Sequence, residues 1–212
     1  MYTIDNKTTT KVLSKLHKES SSEKLTIMKG AFKGLFRELR PSDMKDAYIA
    51  ISREQGEYIY DFLIHEKAKN IVEFGTSFGI STIYLGAAAK ENNGQVITTE
   101  LLDSKSKIAL QNFKDAEVFN FINLRKGDAM ETLQDAPNNI DFLLLDGWND
   151  LYLPLIKMLE PKLKKGAHIY TDNINFPGSK PFVAYLESRP ERYKTKDLSK
   201  NKGGSALTQI IN

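Results

Sequence analysis

Residues 70–79 read N-I-V-E-F-G-T-S-F-G, and this stretch narrows the possible folds more than any other. Ile71, Val72 and Phe74 form a short run of strand-forming side chains, and two glycines interrupt it where a helix should begin. The pattern predicts a strand, a tight turn and a helix. Such a unit opens a nucleotide or nucleoside site in doubly wound α/β folds, because ligands collect at the carboxyl ends of parallel strands. Gly75 and Gly79 are spaced G-x-x-x-G, and Ser77 stands where a dinucleotide-binding turn needs a glycine to let a pyrophosphate approach. A ligand without a pyrophosphate fits better. A tight strand-to-helix turn with no ligand is the alternative reading.

The 212 residues are 41% hydrophobic and 27% charged, an ordinary globular composition that supports one core, so a single domain over 1–212 is expected. Thirty basic and 27 acidic residues leave a net charge of +3 with no single-sign block, which gives nucleic-acid binding no support. The absence of cysteine excludes disulfides and thiolate metal sites. No leader-like segment and no apolar run of membrane-spanning length is visible, so the expectation is a soluble cytoplasmic protein without a membrane partner.

Along the chain, Val12, Leu13 and Leu16 predict a short helix that breaks at Ser20 to Ser22. Leu25, Ile27, Met28, Phe32, Leu35, Phe36 and Leu39 predict a second with a wide apolar face. Residues 1–50 are expected to form a helical lid or a dimerisation surface, and 51–212 the α/β core. Residues 42–69 read as one or two further helices, with Ser52 as a cap and Gly56 as a weak point. Strands are then expected at 70–74, 95–99, 118–125, 140–145 and 167–171. Helices are expected at 80–90, at 103–115 capped by Asp103, through Leu133, at 151–163 and, after Pro177-Gly178, to about Ser188. Phe142 to Leu145 is apolar on both faces, as a central parallel strand should be. Residues 193–198 and 205–211, separated by Lys202-Gly203-Gly204, read as a hairpin. The sum is a Rossmann-like α/β fold, a seven-stranded, mostly parallel sheet with an antiparallel last strand.

Several polar residues fall at the predicted strand ends. Glu73 can accept hydrogen bonds from a cationic amine, and Glu100, 21 residues after Gly79, can take both hydroxyls of a ribose. Asp128, in G-D-A, can accept from an exocyclic amine such as adenine N6. S-adenosylmethionine has an amine, a ribose diol and no phosphate, and is the expected cofactor. Asp146 closes strand four and Asp172-Asn173 closes strand five. In an open sheet these ends are neighbours, and two carboxylates with a carboxamide are hard oxygen donors suited to Mg²⁺. Taken singly, each acid also reads as a solvated residue, a helix cap or a loop anchor.

In series, E-F-G-T-S-F-G-I-S-T, T-T-E, G-D-A, L-L-L-D-G-W-N-D-L-Y-L-P and K-G-A-H-I-Y-T-D-N-I-N-F-P-G resemble the cation-dependent O-methyltransferases, which include catechol and caffeoyl-CoA O-methyltransferases. The resemblance runs from about Ser52 to the C-terminus. It implies a class I methyltransferase fold in which Glu73, Gly75, Thr76, Ser77, Gly79, Ser81, Glu100, Leu101, Asp128, Ala129, Asp146 and Trp148 line the cofactor pocket, and Asp146, Asp172 and Asn173 hold a divalent metal, Mg²⁺ by expectation. The acceptor would be a small catechol-like hydroxylated molecule, and a homodimer is a further expectation. In those relatives a lysine three positions after the metal aspartate takes the acceptor's proton. Here that position is Asn149, which is no base at neutral pH.

Asp146 and Asn149 are therefore the candidate catalytic residues, and Asp150 and Lys180 are substitutes by sequence proximity alone. His168 is expected inside the core, and His17 and His65 receive no assignment. The alternatives are a protein that binds S-adenosylmethionine with lost or altered catalysis, a nucleic-acid methyltransferase, whose N/D-P-P-Y/F motif is missing here, and a nicotinamide dehydrogenase.

Overall fold

The alternation of apolar strands and amphipathic helices folds as one twisted seven-stranded sheet. A computed structural model describes residues 3–22, 51–200 and 203–212. The expected helix over 25–39, the start of the 42–69 stretch and most of the proposed lid lie outside the described residues.

The strands are β1 (Asn70–Phe74), β2 (Gln95–Glu100), β3 (Ile122–Lys126), β4 (Ile140–Leu145), β5 (Leu163–Asp172), β6 (Tyr193–Asp197) and β7 (Ser205–Ile210). Their spatial order is β3-β2-β1-β4-β5-β7-β6. β1 to β5 pair in parallel, whereas β7 runs antiparallel to both β5 and β6. Strand order reverses between β1 and β4, so a ligand crevice is expected at their carboxyl ends.

Each central strand sends alternate side chains to opposite faces. Ile71, Phe142 and Leu144 join one buried cluster, whereas Val72, Phe74, Leu143 and Leu145 join the other. The first face is covered by α1 (Lys7–Ser22), α2 (Arg53–His65), α3 (Ile80–Asn92) and α4 (Asp103–Asp115), and the second by α5 (Ala129–Thr132), α6 (Tyr152–Leu159) and α7 (Lys180–Glu187).

Local departures from the sequence expectations have local causes. α1 continues through Ser20 and Ser21 to Ser22, because Ser14 and Ser21 hydroxyls bond back to carbonyls three or four residues earlier instead of breaking the helix. Gly56 is no weak point: it is buried against the Tyr84 ring, which occupies the space a Cβ would need, so its lack of a side chain lets α2 and α3 approach. Asp103 is the first residue of α4 and not its cap; its carboxylate pairs with Lys107 and Lys126. Residues 119–121 form a 3₁₀ turn, so β3 starts later than expected. The expected helix over 151–163 is divided into 3₁₀ turns at Asn149–Leu151 and Glu160–Lys162 around α6, Pro161 opening the second; β5 therefore begins at Leu163. Ser52 does cap α2, in a capping box with Gln55.

Candidate functional site

The site is built from loops at the carboxyl ends of β1, β2, β4 and β5. The turn after β1 needs left-handed backbone at Gly75 (φ 108°), Ser77 (φ 49°) and Gly79 (φ 91°), the last of which starts α3. Its amides are spent on β2: Thr76 N–H donates to the Thr99 carbonyl at 3.1 Å and Ser77 N–H to Glu100 Oε2 at 2.8 Å. Glu100 Oε1 accepts from Leu102 N–H at 2.9 Å, so one carboxylate ties the turn to the entry of α4. A Cβ on Gly75 would lie 2.5 Å from the Asp146 carbonyl oxygen, which shows how closely the turn meets the end of β4.

Glu73 is 0% exposed. Oε1 accepts from Ser81 Oγ at 2.6 Å, and Oε2 accepts from Thr82 Oγ1 at 2.5 Å and Thr98 Oγ1 at 2.6 Å. Burial raises its pKa and the three hydroxyls work against that rise. The carboxylate that sequence pattern reserves for an amine is thus already cradled by the protein, together with Ser81.

The G-D-A turn reaches the same edge through Gly127 N–H, which donates to the Glu100 carbonyl at 3.0 Å. Asp128 caps α5, its Oδ1 accepting from Met130 N–H at 2.8 Å. Ala129 is buried in the second core, Trp148 packs half-buried against it, and Leu101 is 55% exposed.

On the other side of the crevice, Leu145 pairs with Thr171, which puts Asp146 and Asp172 side by side at the next position. Both are partly exposed. Burial, then the charges of Asp172 and Glu73, push the Asp146 carboxyl well above the ordinary aspartate range, and burial raises Asp172 as well. Asp172 Oδ1 accepts from Gln55 Nε2 at 2.9 Å and Oδ2 from Asn173 Nδ2 at 3.2 Å. Tyr152, fully buried, points its hydroxyl at the Asp172 carbonyl, 3.2 Å away. Asn173 adopts φ 60°, the left-handed region that asparagine tolerates.

Asn149 Nδ2 donates to Ser179 Oγ at 3.1 Å, and that hydroxyl donates to the Asn173 carbonyl at 2.8 Å. Asn149 therefore braces the loop that presents Asn173. Asp150 is exposed, and so is Lys180 at the start of α7. His168 packs edge-on against Phe62, with ring centroids 4.8 Å apart, and His17 meets the Tyr84 hydroxyl at 3.1 Å. Among the described residues no three histidine, aspartate or glutamate side chains converge as a metal cluster. The donor set at the β4 and β5 ends consists of two carboxylates and one carboxamide.

Sequence reasoning missed Gln55, Ser179 and Tyr152. The S-x-x-Q spacing of Ser52 and Gln55 signals a capping box, but nothing in it signals the reach to Asp172, 117 residues away.

Residues 72–174 match the family described as a methyltransferase domain. The chain is similar in sequence to S-adenosylmethionine-dependent O-methyltransferases. It is 28% identical over 127 residues to a catechol O-methyltransferase of Mycobacterium tuberculosis, a match covering 59% of this chain and 57% of that one. A caffeoyl-CoA O-methyltransferase of Medicago sativa is 28% identical over 151 residues, covering 68% and 61%. The chain thus matches less than two thirds of the length of these relatives. The solved structure of an O-methyltransferase from Bacillus cereus, in complex with SAH, superposes with a TM-score of 0.75 at 20% identity over 95% of this chain and 91% of that one, a likeness of fold. Among the described residues no helix is long and apolar enough to cross a membrane.

Proposed function

We propose that this chain is an S-adenosylmethionine-dependent O-methyltransferase whose acceptor is a small, catechol-like hydroxylated molecule held beside a divalent cation. The observation that carries the reading is the juxtaposition of Asp146, Asp172 and Asn173 with the Gly75 turn across the β1–β4 switch point. The relatives' names, catechol and caffeoyl-CoA O-methyltransferase, favour the same class of acceptor.

In this reading the 75–79 turn, Glu100 and Asp128 bind and orient the nucleoside, with Leu101 and Trp148 at its edges. Glu73 and Ser81 act from inside the fold by fixing the start of α3. Two facing carboxylates, destabilised by burial and by each other, fit a hard divalent cation such as Mg²⁺, and the Asn173 side-chain amide oxygen completes the donor set. Such an ion, when bound, supplies a Lewis acid that lowers the pKa of an acceptor hydroxyl. The protein aligns that oxygen with the sulfonium methyl, alignment being worth up to several kcal/mol. The methyl carbon–sulfur bond breaks as the oxygen–carbon bond forms, and the hydroxyl proton leaves to water, because Asn149 is bonded to Ser179 and takes no proton.

That bracing role of Asn149 is also the observation favouring a second reading, a protein that binds S-adenosylmethionine with lost or altered catalysis. Calorimetry with the cofactor and a methyl-transfer assay on a catechol panel, with Mg²⁺ or with chelator, separate the two. Chelator-sensitive turnover supports the first; cofactor binding without turnover across the panel supports the second. Turnover indifferent to chelator removes the metal from the first.

A further inference from the structure

The position that joins the predicted site to the rest of the fold is Gln55. It sits in the first turn of α2, and every polar atom of its side chain is engaged. Oε1 accepts from Ser52 N–H at 2.8 Å, and Nε2 donates both to Asp172 Oδ1 at 2.9 Å and to the Tyr170 hydroxyl at 3.2 Å. Its own backbone N–H donates to Ser52 Oγ at 3.2 Å, closing the capping box. The side chain is thus held at one end by a helix cap and at the other by the strand that presents Asp172. Asn173 occupies the other carboxylate oxygen, so these two amides together fix the plane of the Asp172 carboxylate.

An uncharged amide suits that task. A lysine here would neutralise Asp172 and compete with a cation, and a glutamate would add a third acidic group and lose the donor. We propose that Gln55 is a positioning residue: it orients the Asp172 carboxylate toward the crevice. The inference rests on the metal-dependent reading of the site.

The test uses the purified full chain and Mn²⁺ alone, its binding followed by electron paramagnetic resonance of the free ion. In Gln55→Met, which keeps the length but donates nothing, Mn²⁺ affinity falls by about tenfold or more, the range seen when groups that orient metal ligands are removed. Gln55→Asn, too short to reach Asp172 but kinder to the helix start, weakens it in the same direction. Ser52→Ala removes the cap hydroxyl and leaves the Gln55–Asp172 bond: it lowers Tm through the lost cap, but changes Mn²⁺ affinity by less than about twofold. SAH affinity stays within about twofold in all three. Equal Mn²⁺ binding by wild type and both Gln55 variants overturns the inference and leaves the metal reading intact. A parallel loss in Ser52→Ala also overturns it, since general loosening of α2 then suffices. Wild type that binds no Mn²⁺ overturns the metal reading and this inference with it.

Discussion

Glu73 and Asp146 lie at the carboxyl ends of adjacent strands, and both have raised pKa values because burial penalises their charge. What differs is the company each keeps. Glu73 is met by three hydroxyl donors that offset the burial, whereas Asp146 is met by the negative charges of Asp172 and of Glu73 itself. In the wall carrying the glycine turn, Glu73 is satisfied by the protein's own donors, and each Glu100 oxygen accepts one backbone N–H while keeping a lone pair for a ligand. The wall formed by β4 and β5 differs. Its carboxylates repel across one strand spacing, about 4.8 Å, and among the described residues Asp172 is bonded only by amides. A fold that satisfies its polar groups in one wall and leaves like charges facing in the other carries a local conflict of the kind functional sites retain.

The sharpest way to break that comparison is to remove one charge from each wall. Asp146→Asn should abolish methyl transfer, lowering kcat/KM by about 100-fold or more, the scale of losing a group that aligns or stabilises charge at the reacting centre. The same substitution should raise the Tm of chelator-treated protein, by about 2–4 °C for each kcal/mol of repulsion relieved. Glu73→Ala should do the opposite to stability. It strands the buried hydroxyls of Ser81, Thr82 and Thr98, at a cost of about 2–4 kcal/mol after local re-pairing, and lowers Tm by about 5–15 °C. Thermal melts of the two variants with chelator present decide it: Tm shifts of the same sign would mean that the walls do not differ in the way their hydrogen bonds indicate.

Gly75 is where the walls touch. An added Cβ would meet backbone, 2.5 Å from the Asp146 carbonyl oxygen and 2.9 Å from Gly147 N, at a φ of 108° that side chains rarely adopt. Neither obstacle yields as a flexible side chain would. Gly75→Ala should therefore weaken SAH binding by about tenfold, a loss of about 1.4 kcal/mol, and, if the two walls are coupled there, Mn²⁺ binding as well. Calorimetry on the variant reads both; a loss confined to SAH would show the walls to be independent.

Much of the first wall was legible because its determinants are contiguous. The glycines and strand-formers of 70–79, the ends of β2 and β4 and the reversed last strand all follow from local pattern, and so does the cap at Ser52. The adjacency of Asp146, Asp172 and Asn173 was legible too, since parallel strands line up their ends. What escaped was the bracing: Gln55 to Asp172, Asn149 through Ser179 to Asn173. These are single hydrogen bonds across 6 to 117 residues, and amides and hydroxyls bond so widely that their type does not name a partner. Asn149 read from sequence only as the place of a missing base, whereas in the fold it holds a loop. Asp103 was misplaced for a related reason. An acid at a helix start suits a cap, but Lys107 one turn on and Lys126 on β3 draw its carboxylate outward.

Asp103 also supplies the smallest test, because it is an exposed carboxylate with cationic partners, which the β4–β5 wall lacks among the described residues. Hydrogen bonds from Lys107 and Lys126 lower its pKa to about 2. A carboxyl depressed in the folded state stabilises the fold above its unfolded pKa of about 3.9 and loses that contribution as pH falls through the folded value. The Tm difference between wild type and Asp103→Asn should thus be small and constant above about pH 5, and shrink between about pH 4 and pH 2. It should also shrink as salt rises toward 1 M, where the screening length is about 3 Å. A difference that persists at low pH and high salt would show that Asp103 acts through helix geometry. Its contrast with the uncompensated carboxylates of the crevice would then be one of packing and not of charge.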